Sequence, residues 1–166
     1  GSEMCIRDSF YTQFKYKGFA LGAEFSYSKG NMAYNAVRNQ LEGMNTLGNQ
    51  SIAVLNRWSL DGQVTDMPRV QHNDPYRSTS FSERWLEDAS YLRMKSVTLS
   101  YSFDKTVLNF FRSGTLYVSG ENLLTATKYL GLDPEFSYSY SETSQGLDYA
   151  KMVQPKSVKF GVNLKF

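Results

Sequence analysis

Nucleophilic catalysis needs a base held against a serine or cysteine, and the sequence supplies few bases. The one histidine, His72, sits in the polar run Gln71-His72-Asn73-Asp74 and reads as a solvated loop residue. The one cysteine, Cys5, cannot form an internal disulfide. A metal site wants clustered His, Cys or carboxylates at ligand spacing. The nearest approach is Asp133-Pro134-Glu135, where the proline more simply marks a turn. Glu87-Asp88 brings two carboxylates together, but adjacent side chains rarely converge on one substrate, and the pair reads as the polar end of a short helix. No glycine motif cradles a phosphate. Asn49-Gln50-Ser51 fits a glycosylation pattern that is common by chance. No catalytic, cofactor or metal constellation is expected, and the chain does not read as an enzyme.

Aromatic residues are the remaining candidates for chemistry. Trp58, Trp85, Tyr129, Tyr138 and Tyr140 fall in or beside long polar connections. Such rings can stack on sugars or peptide groups; they can equally form an interfacial girdle or pack a loop, which is the favoured reading for each singly. Trp58, Trp85, Tyr129, Asp133, Glu135 and Tyr138 are the substrate-loop candidates.

The elements that must position these residues are strands. The chain has 166 residues, with 12 Tyr and 11 Phe against 4 Pro. Rings apolar at one end and wet at the other suit sheets and membrane interfaces. A net charge of +2 argues against nucleic acid as a partner. No apolar run is long enough for a transmembrane helix. A barrel strand needs only about 9–11 residues with alternate ones apolar, so a mean hydropathy of −0.45 is compatible with a barrel carrying large polar loops.

Five segments alternate with period two, which places successive side chains on opposite faces. In 156–166, Val158, Phe160, Val162, Leu164 and Phe166 share one face, and Ser157, Lys159, Gly161, Asn163 and Lys165 the other. In 93–103, Val97, Leu99, Tyr101 and Phe103 oppose Thr98, Ser100 and Ser102. In 19–28, Phe19, Leu21, Ala23, Phe25 and Tyr27 oppose Ala20, Gly22, Glu24, Ser26 and Ser28. Segment 10–16 sets Phe10, Phe14 and Tyr16 against Tyr11, Gln13 and Lys15. The weakest, 115–124, alternates Leu116 and Val118 with Tyr117 and Ser119. The small, polar second faces fit a wet lumen opposite a lipid or core layer.

The connections alternate in length. Lys17-Gly18 is a tight hairpin, 29–90 is very long, 104–113 is short, and 125–155 is long again. In an antiparallel meander this puts every short turn at one end and every long loop at the other, as in outer-membrane barrels. With Phe166 on the periplasmic side, both long connections fall outside. The first long loop carries helical signals: 35–43, with Ala36, Val37 and Leu41 on one side and Gly43 as a stop; Ser51 as cap of a helix through Trp58; and Ser80 with Glu83 at capping-box spacing before Arg84-Trp85-Leu86. Ordered loops of this kind usually bind something or pack on a partner.

Residues 1–9 are set aside as a leader, because Met4-Cys5-Ile6-Arg7-Asp8 resembles the translation of a sequencing-adapter end. No secretory signal is visible, and a barrel bound for the outer membrane needs one, so an upstream segment is expected.

Several stretches resemble the C-terminal region of SusC/RagA-type TonB-linked transporters of Bacteroidetes. They are Arg57-Trp58 followed by Val64-Thr65-Asp66-Met67-Pro68-Arg69; Trp85-Leu86-Glu87-Asp88-Ala89-Ser90-Tyr91-Leu92-Arg93-Met94-Lys95; Leu116-Tyr117-Val118-Ser119-Gly120-Glu121-Asn122-Leu123-Leu124; Tyr129-Leu130-Gly131-Leu132-Asp133-Pro134-Glu135; and Gln154-Pro155-Lys156 running into Phe160-Gly161-Val162-Asn163-Leu164-Lys165-Phe166. Their order and spacing, from about residue 50 to the end, make the set specific. The resemblance implies an all-β antiparallel meander of about five strands, over 10–166, from the end of a plugged barrel of about 22 strands, with the plug domain and TonB box absent. It implies active import of oligosaccharides or peptides across the bacterial outer membrane, a SusD-like surface lipoprotein over the loops, TonB as the source of energy, and outer-membrane lipid around the wall. It also makes Phe160, Val162, Leu164 and Phe166 a signal for the barrel-assembly machinery.

The rival expectation is a soluble carbohydrate-binding β-sandwich, in which the same apolar faces would meet across a core. Five strands interrupted by an insertion of about sixty residues are awkward for that fold.

Overall fold

The computed structural model describes residues 6–71, 73–104, 113–135 and 146–165. In chain order the elements are β1 (Ile6–Tyr16), β2 (Phe19–Lys29), β3 (Met32–Asn35), α1 (Ala36–Glu42), β4 (Leu86–Asp88), β5 (Tyr91–Asp104), β6 (Ser113–Thr127), β7 (Leu147–Asp148) and β8 (Ser157–Lys165). Two short 3₁₀ turns, Ile52–Asn56 and Glu83–Trp85, lie between α1 and β4. The chain divides into two compact units. A strand unit lies within Gly1–Asn31, Ser90–Lys128 and Val153–Phe166, and a loop unit comprises Met32–Ala89 and Tyr129–Met152.

The strand unit is one antiparallel sheet in the order β1-β2-β5-β6-β8. Chain neighbours within the sheet are sheet neighbours, which is the expected meander, and the sheet is open at β1 and β8. All five alternating segments are strands, each within a few residues of its expected ends. The β1–β2 hairpin turns on Lys17 and Gly18, at φ 44° and 86°. Positive φ at both central residues is the turn geometry that matches strand twist, and glycine takes its half without a steric cost.

Two details depart from simple alternation. β1 begins at Ile6, and Ile6–Ser9 pair with Ser26–Lys29. Part of the segment set aside as a leader is thus in the sheet, because ladder hydrogen bonds come from the backbone whatever the side chains. The register also shifts between Met94 and Ser96, opposite Glu24/Phe25 on one side and Glu121/Leu124 on the other. Lys95 is the extra residue of this bulge. Strict alternation would place Arg93 with Val97 and Leu99. The bulge instead seats Arg93 across from Ser26 and Thr125, on the polar face.

The loop unit is built from the two long connections. Its small sheet has the order β4-β3-β7, with β3–β4 antiparallel and β3–β7 parallel. Asn35 caps α1 by accepting from the Arg38 N–H at 2.9 Å. Gly43 ends the helix as expected, but not by adopting the left-handed conformation. It stays near φ −70°, and Met44 takes φ 53°. Gly43 is small because a Cβ there would run into Thr79 and the Asn39 carbonyl. Ser51 caps a 3₁₀ turn that stops at Asn56, short of Trp58. The capping box at Ser80 does not form. The turn starts after Ser82, which makes no side-chain cap, and the Ser80 N–H bonds Arg77 instead. Ala33, Ala36, Met44, Val54, Met67, Trp85, Ala89 and Tyr129 are buried in this unit.

Candidate functional site

The strand unit presents two chemically distinct faces, set by register. One row runs Phe14, Leu21, Leu99, Val118, Phe160, and the next runs Tyr16, Phe19, Tyr101, Leu116, Val162. These side chains are open: Leu99 is 45% exposed and Phe160 81%. Along β5 the apolar positions extend from Leu92 to Phe103, roughly 36 Å of strand at ~3.3 Å per residue. At a barrel tilt of ~45° that covers about 25 Å of height, the depth of a barrel's apolar band. At the Lys17-Gly18 end the face finishes in rings, with Phe19 and Tyr101 4.5 Å apart and Tyr101 and Phe103 6.4 Å apart. Aromatic girdles border such bands.

The opposite face is small, polar and internally bonded. The Thr98 hydroxyl donates to Ser119 at 3.1 Å, and Ser102 and Thr115 share a bond of 3.2 Å. Such hydroxyl pairs stabilise neighbouring strands by a few tenths to about 1 kcal/mol. The Arg93 Nε donates to Thr125 at 3.1 Å, and the Glu121 carboxylate accepts from Ser157 at 2.9 Å and Lys159 at 2.5 Å. The Tyr117 ring lies across Gly161 so closely that a Cβ there would overlap it, as when an aromatic covers a strand glycine.

The loop unit holds an ionic cluster beneath α1. Arg38 donates to Glu42 at 2.9 Å and to Glu87 at 3.0 Å, and its guanidinium stands 5.8 Å from the Trp85 ring centroid. Arg84 lies 5.0 Å from the same ring, so Trp85, 1% exposed, is a core residue flanked by two cations. Burial lowers the Arg38 pKa, but the Glu87 and Glu42 carboxylates outweigh it, and the net shift is upward. Arg84 shifts downward through burial and then the charge of Arg38. The other Glu87 oxygen accepts from the Leu130 N–H at 3.0 Å. Glu87 therefore ties the two long connections together.

Further ties hold the second connection. The Tyr129 hydroxyl donates to Asp148 at 2.7 Å; burial, then this carboxylate, pushes its pKa well above the usual phenol value. The Asp133 side chain accepts from the Glu135 N–H at 2.9 Å, the local turn expected around Pro134. In the first connection, Asp74 accepts the hydroxyl and backbone N–H of both Thr79 and Ser78. These bonds, those to Thr79 foremost, hold its carboxyl well below the usual range despite some burial.

The substrate-loop candidates separate accordingly. Trp85, Tyr129 and Asp133 are buried. Glu135 is half-buried. Trp58 is half-buried, with the Arg69 guanidinium 5.8 Å from its ring centroid. Tyr138 and Tyr140 lie outside the described residues, as do Phe166, His72 and Cys5. Among the described residues no group of three or more His, Cys, Asp or Glu could hold a metal. Sequence reasoning missed the Arg38–Glu42–Glu87 cluster. The i,i+4 spacing of Arg38 and Glu42 could have marked its helical half; nothing local marks Glu87 or Asp148.

No protein-family model matches the chain. TonB-dependent receptor P3 of Formosa agariphila is 32% identical over 164 residues, covering 95% of this chain and 16% of the relative. TonB-dependent receptor P26 of the same organism is 27% identical over 164 residues with the same coverage. Among solved structures, the RagAB peptide importer in its closed-closed state superposes with a TM-score of 0.80 at 28% identity, over 96% of this chain and 17% of that one. Its open-open state gives a TM-score of 0.78 at 29% identity. This chain thus spans 16% of the length of the curated relatives it matches. Its order of strands, its exposed apolar rows and these likenesses agree: the chain is a C-terminal piece of the β-barrel of a TonB-dependent receptor of the SusC/RagA type.

Proposed function

We propose that the protein carrying this chain is an active importer of the bacterial outer membrane, energised by TonB, and that it takes up oligosaccharides or peptides. The strand unit forms part of its wall and the loop unit part of its outer surface. The observation that carries this reading is the inverted polarity of the sheet. Leu99, Leu116, Val162 and Phe160 stand open on one face, while Ser26, Ser28 and Arg93 are buried on the other. Water would penalise that arrangement and hydrocarbon favours it. A soluble carbohydrate-binding sandwich has no support here, because it needs these apolar rows covered by a second sheet.

The same proposal assigns the partners. Outer-membrane lipid meets the apolar rows. Phe160, Val162 and Leu164 on β8, with Phe166, form the signal for the assembly machinery. The loop unit leaves Ile52, Leu55, Leu60 and Val64 each exposed, and a SusD-like surface lipoprotein seated over the loops would cover them. TonB acts through segments outside this chain. No enzymatic step is assigned.

Spin labels placed singly at Leu99 and Thr98 of the complete receptor in lipid vesicles test the reading. A label at 99 is expected to be accessible to oxygen and shielded from a water-soluble nickel chelate, with the reverse at 98. Equal access of the chelate to both positions, or a monodisperse receptor in buffer without detergent, would overturn it.

A further inference from the structure

The loop unit contains a cleft of about 380 Å³ with walls of two kinds. Val37, Leu41, Leu130 and Leu132 supply an aliphatic wall, and Arg38, Glu42 and Asp148 line the remainder with Asn35 and Ser51. The volume is in the range of small-molecule sites. Among the described residues no aromatic ring lines it, so these offer no platform for stacking a sugar.

Its charges do not balance. Glu42 is 7% exposed and Asp148 3%. Among the described lining residues the one cation, Arg38, is engaged by Glu42 and also by Glu87; Arg84, outside the lining, also interacts with Glu42, and neither reaches Asp148 with a hydrogen bond. Asp148 accepts from the Tyr129 hydroxyl and the Ala150 N–H, and these bonds bring no positive charge. A buried carboxylate without a counter-cation is costly, and each carboxylate oxygen retains acceptor capacity beyond its one bond. The ligand that suits such a cleft carries a cation on an aliphatic stem.

We propose that this cleft receives the lysine or arginine side chain of a peptide substrate. The methylene stem packs on Leu41, Leu130 and Leu132, and the charged head reaches Glu42 and Asp148. Long basic side chains divide in this way between apolar and polar surroundings. The inference rests on the importer reading and selects peptides over glycans at this site.

The test is a binding series on the complete receptor in detergent. An alanine-rich octapeptide carrying one lysine is compared by calorimetry with versions carrying norleucine or acetyl-lysine, and with maltoheptaose. The lysine peptide is expected to bind at least tenfold more tightly than either analogue, and Leu132→Ala, at an exposed position, to weaken it about threefold. Equal affinity for lysine and norleucine, or tighter binding of the oligosaccharide, overturns the proposal. Spin labels at Leu99 and Thr98 on the same preparation report separately on the wall. A lipid-facing Leu99 without a lysine preference removes the cleft assignment alone. A water-facing Leu99 removes the importer reading, while the peptide series still decides what the cleft prefers.

Discussion

Leu99 and Phe160 in the strand unit are 45% and 81% exposed, while Arg93 on the same sheet is 3% exposed; in the loop unit Trp85 is 1% exposed and its charged neighbours Arg38 and Glu87 ring the interior. One region turns its grease outward and bonds its polar groups across the opposite face. The other buries an aromatic centre as a water-soluble domain does. The difference is what the importer reading requires of one chain written for two solvents. Each segment obeys the same rule, that apolar surface leaves water; on the proposed importer reading the sheet has hydrocarbon available and the loops do not.

That contrast can be broken from either side, and the largest effect is expected in the loop unit. Trp85→Ala removes its main buried side chain and should cost about 3–5 kcal/mol. Amide exchange on the complete receptor should show protection lost around α1 and β4 and retained in β2, β5 and β6. If the sheet exchanges equally, the two regions are not separate.

Leu99→Lys is the matching change in the sheet. It should cost about 2–4 kcal/mol in guanidinium unfolding from lipid vesicles, whereas Thr98→Lys costs far less. A soluble core would give the same loss at Leu99 without lipid present.

Glu87→Ala sharpens the comparison within the loops. It leaves Arg38 short of one carboxylate and the Leu130 N–H short of an acceptor, a loss of about 1.5–3 kcal/mol. Limited proteolysis should then cut both long connections sooner; cutting in only one would show that Glu87 does not join them.

The smallest effect is at Asp74. Its folded pKa lies below the ordinary value, so its contribution is complete above pH ~4 and is lost as the pH falls through the folded value. Asp74→Asn should cost about 1 kcal/mol near neutrality, the loss being limited by solvent screening. It is read from exchange at Ser78 and Thr79 after correction for intrinsic rates. The difference between the two proteins should shrink at low pH, and one that grew there would reverse the sign of the argument.

Much of the sheet was legible in advance because period two is a local property. Val158, Phe160, Val162 and Leu164 declare a face without reference to any other strand. The short-long-short-long connections then implied a meander. The side of Arg93 was not legible, because the bulge at Lys95 arises only where β5 must match β2 and β6 together. In the loops, the helix over 35–43 was readable from its apolar side and its Gly43 stop, and a helical turn at Ser51 from its cap. The Ser80 box failed because Ser80 is held instead by a turn from Arg77.

Alternation by itself determined five two-faced strands joined by alternately short and long connections, since a face follows from side chains a residue or two apart. Tertiary structure alone decided that Trp85 and Tyr129 are interior residues, that Glu87 joins two connections, and that Glu42 and Asp148 line one cleft. Those outcomes depend on pairs separated by tens of residues, whose meeting is set by the packing of the whole loop unit and by no local preference.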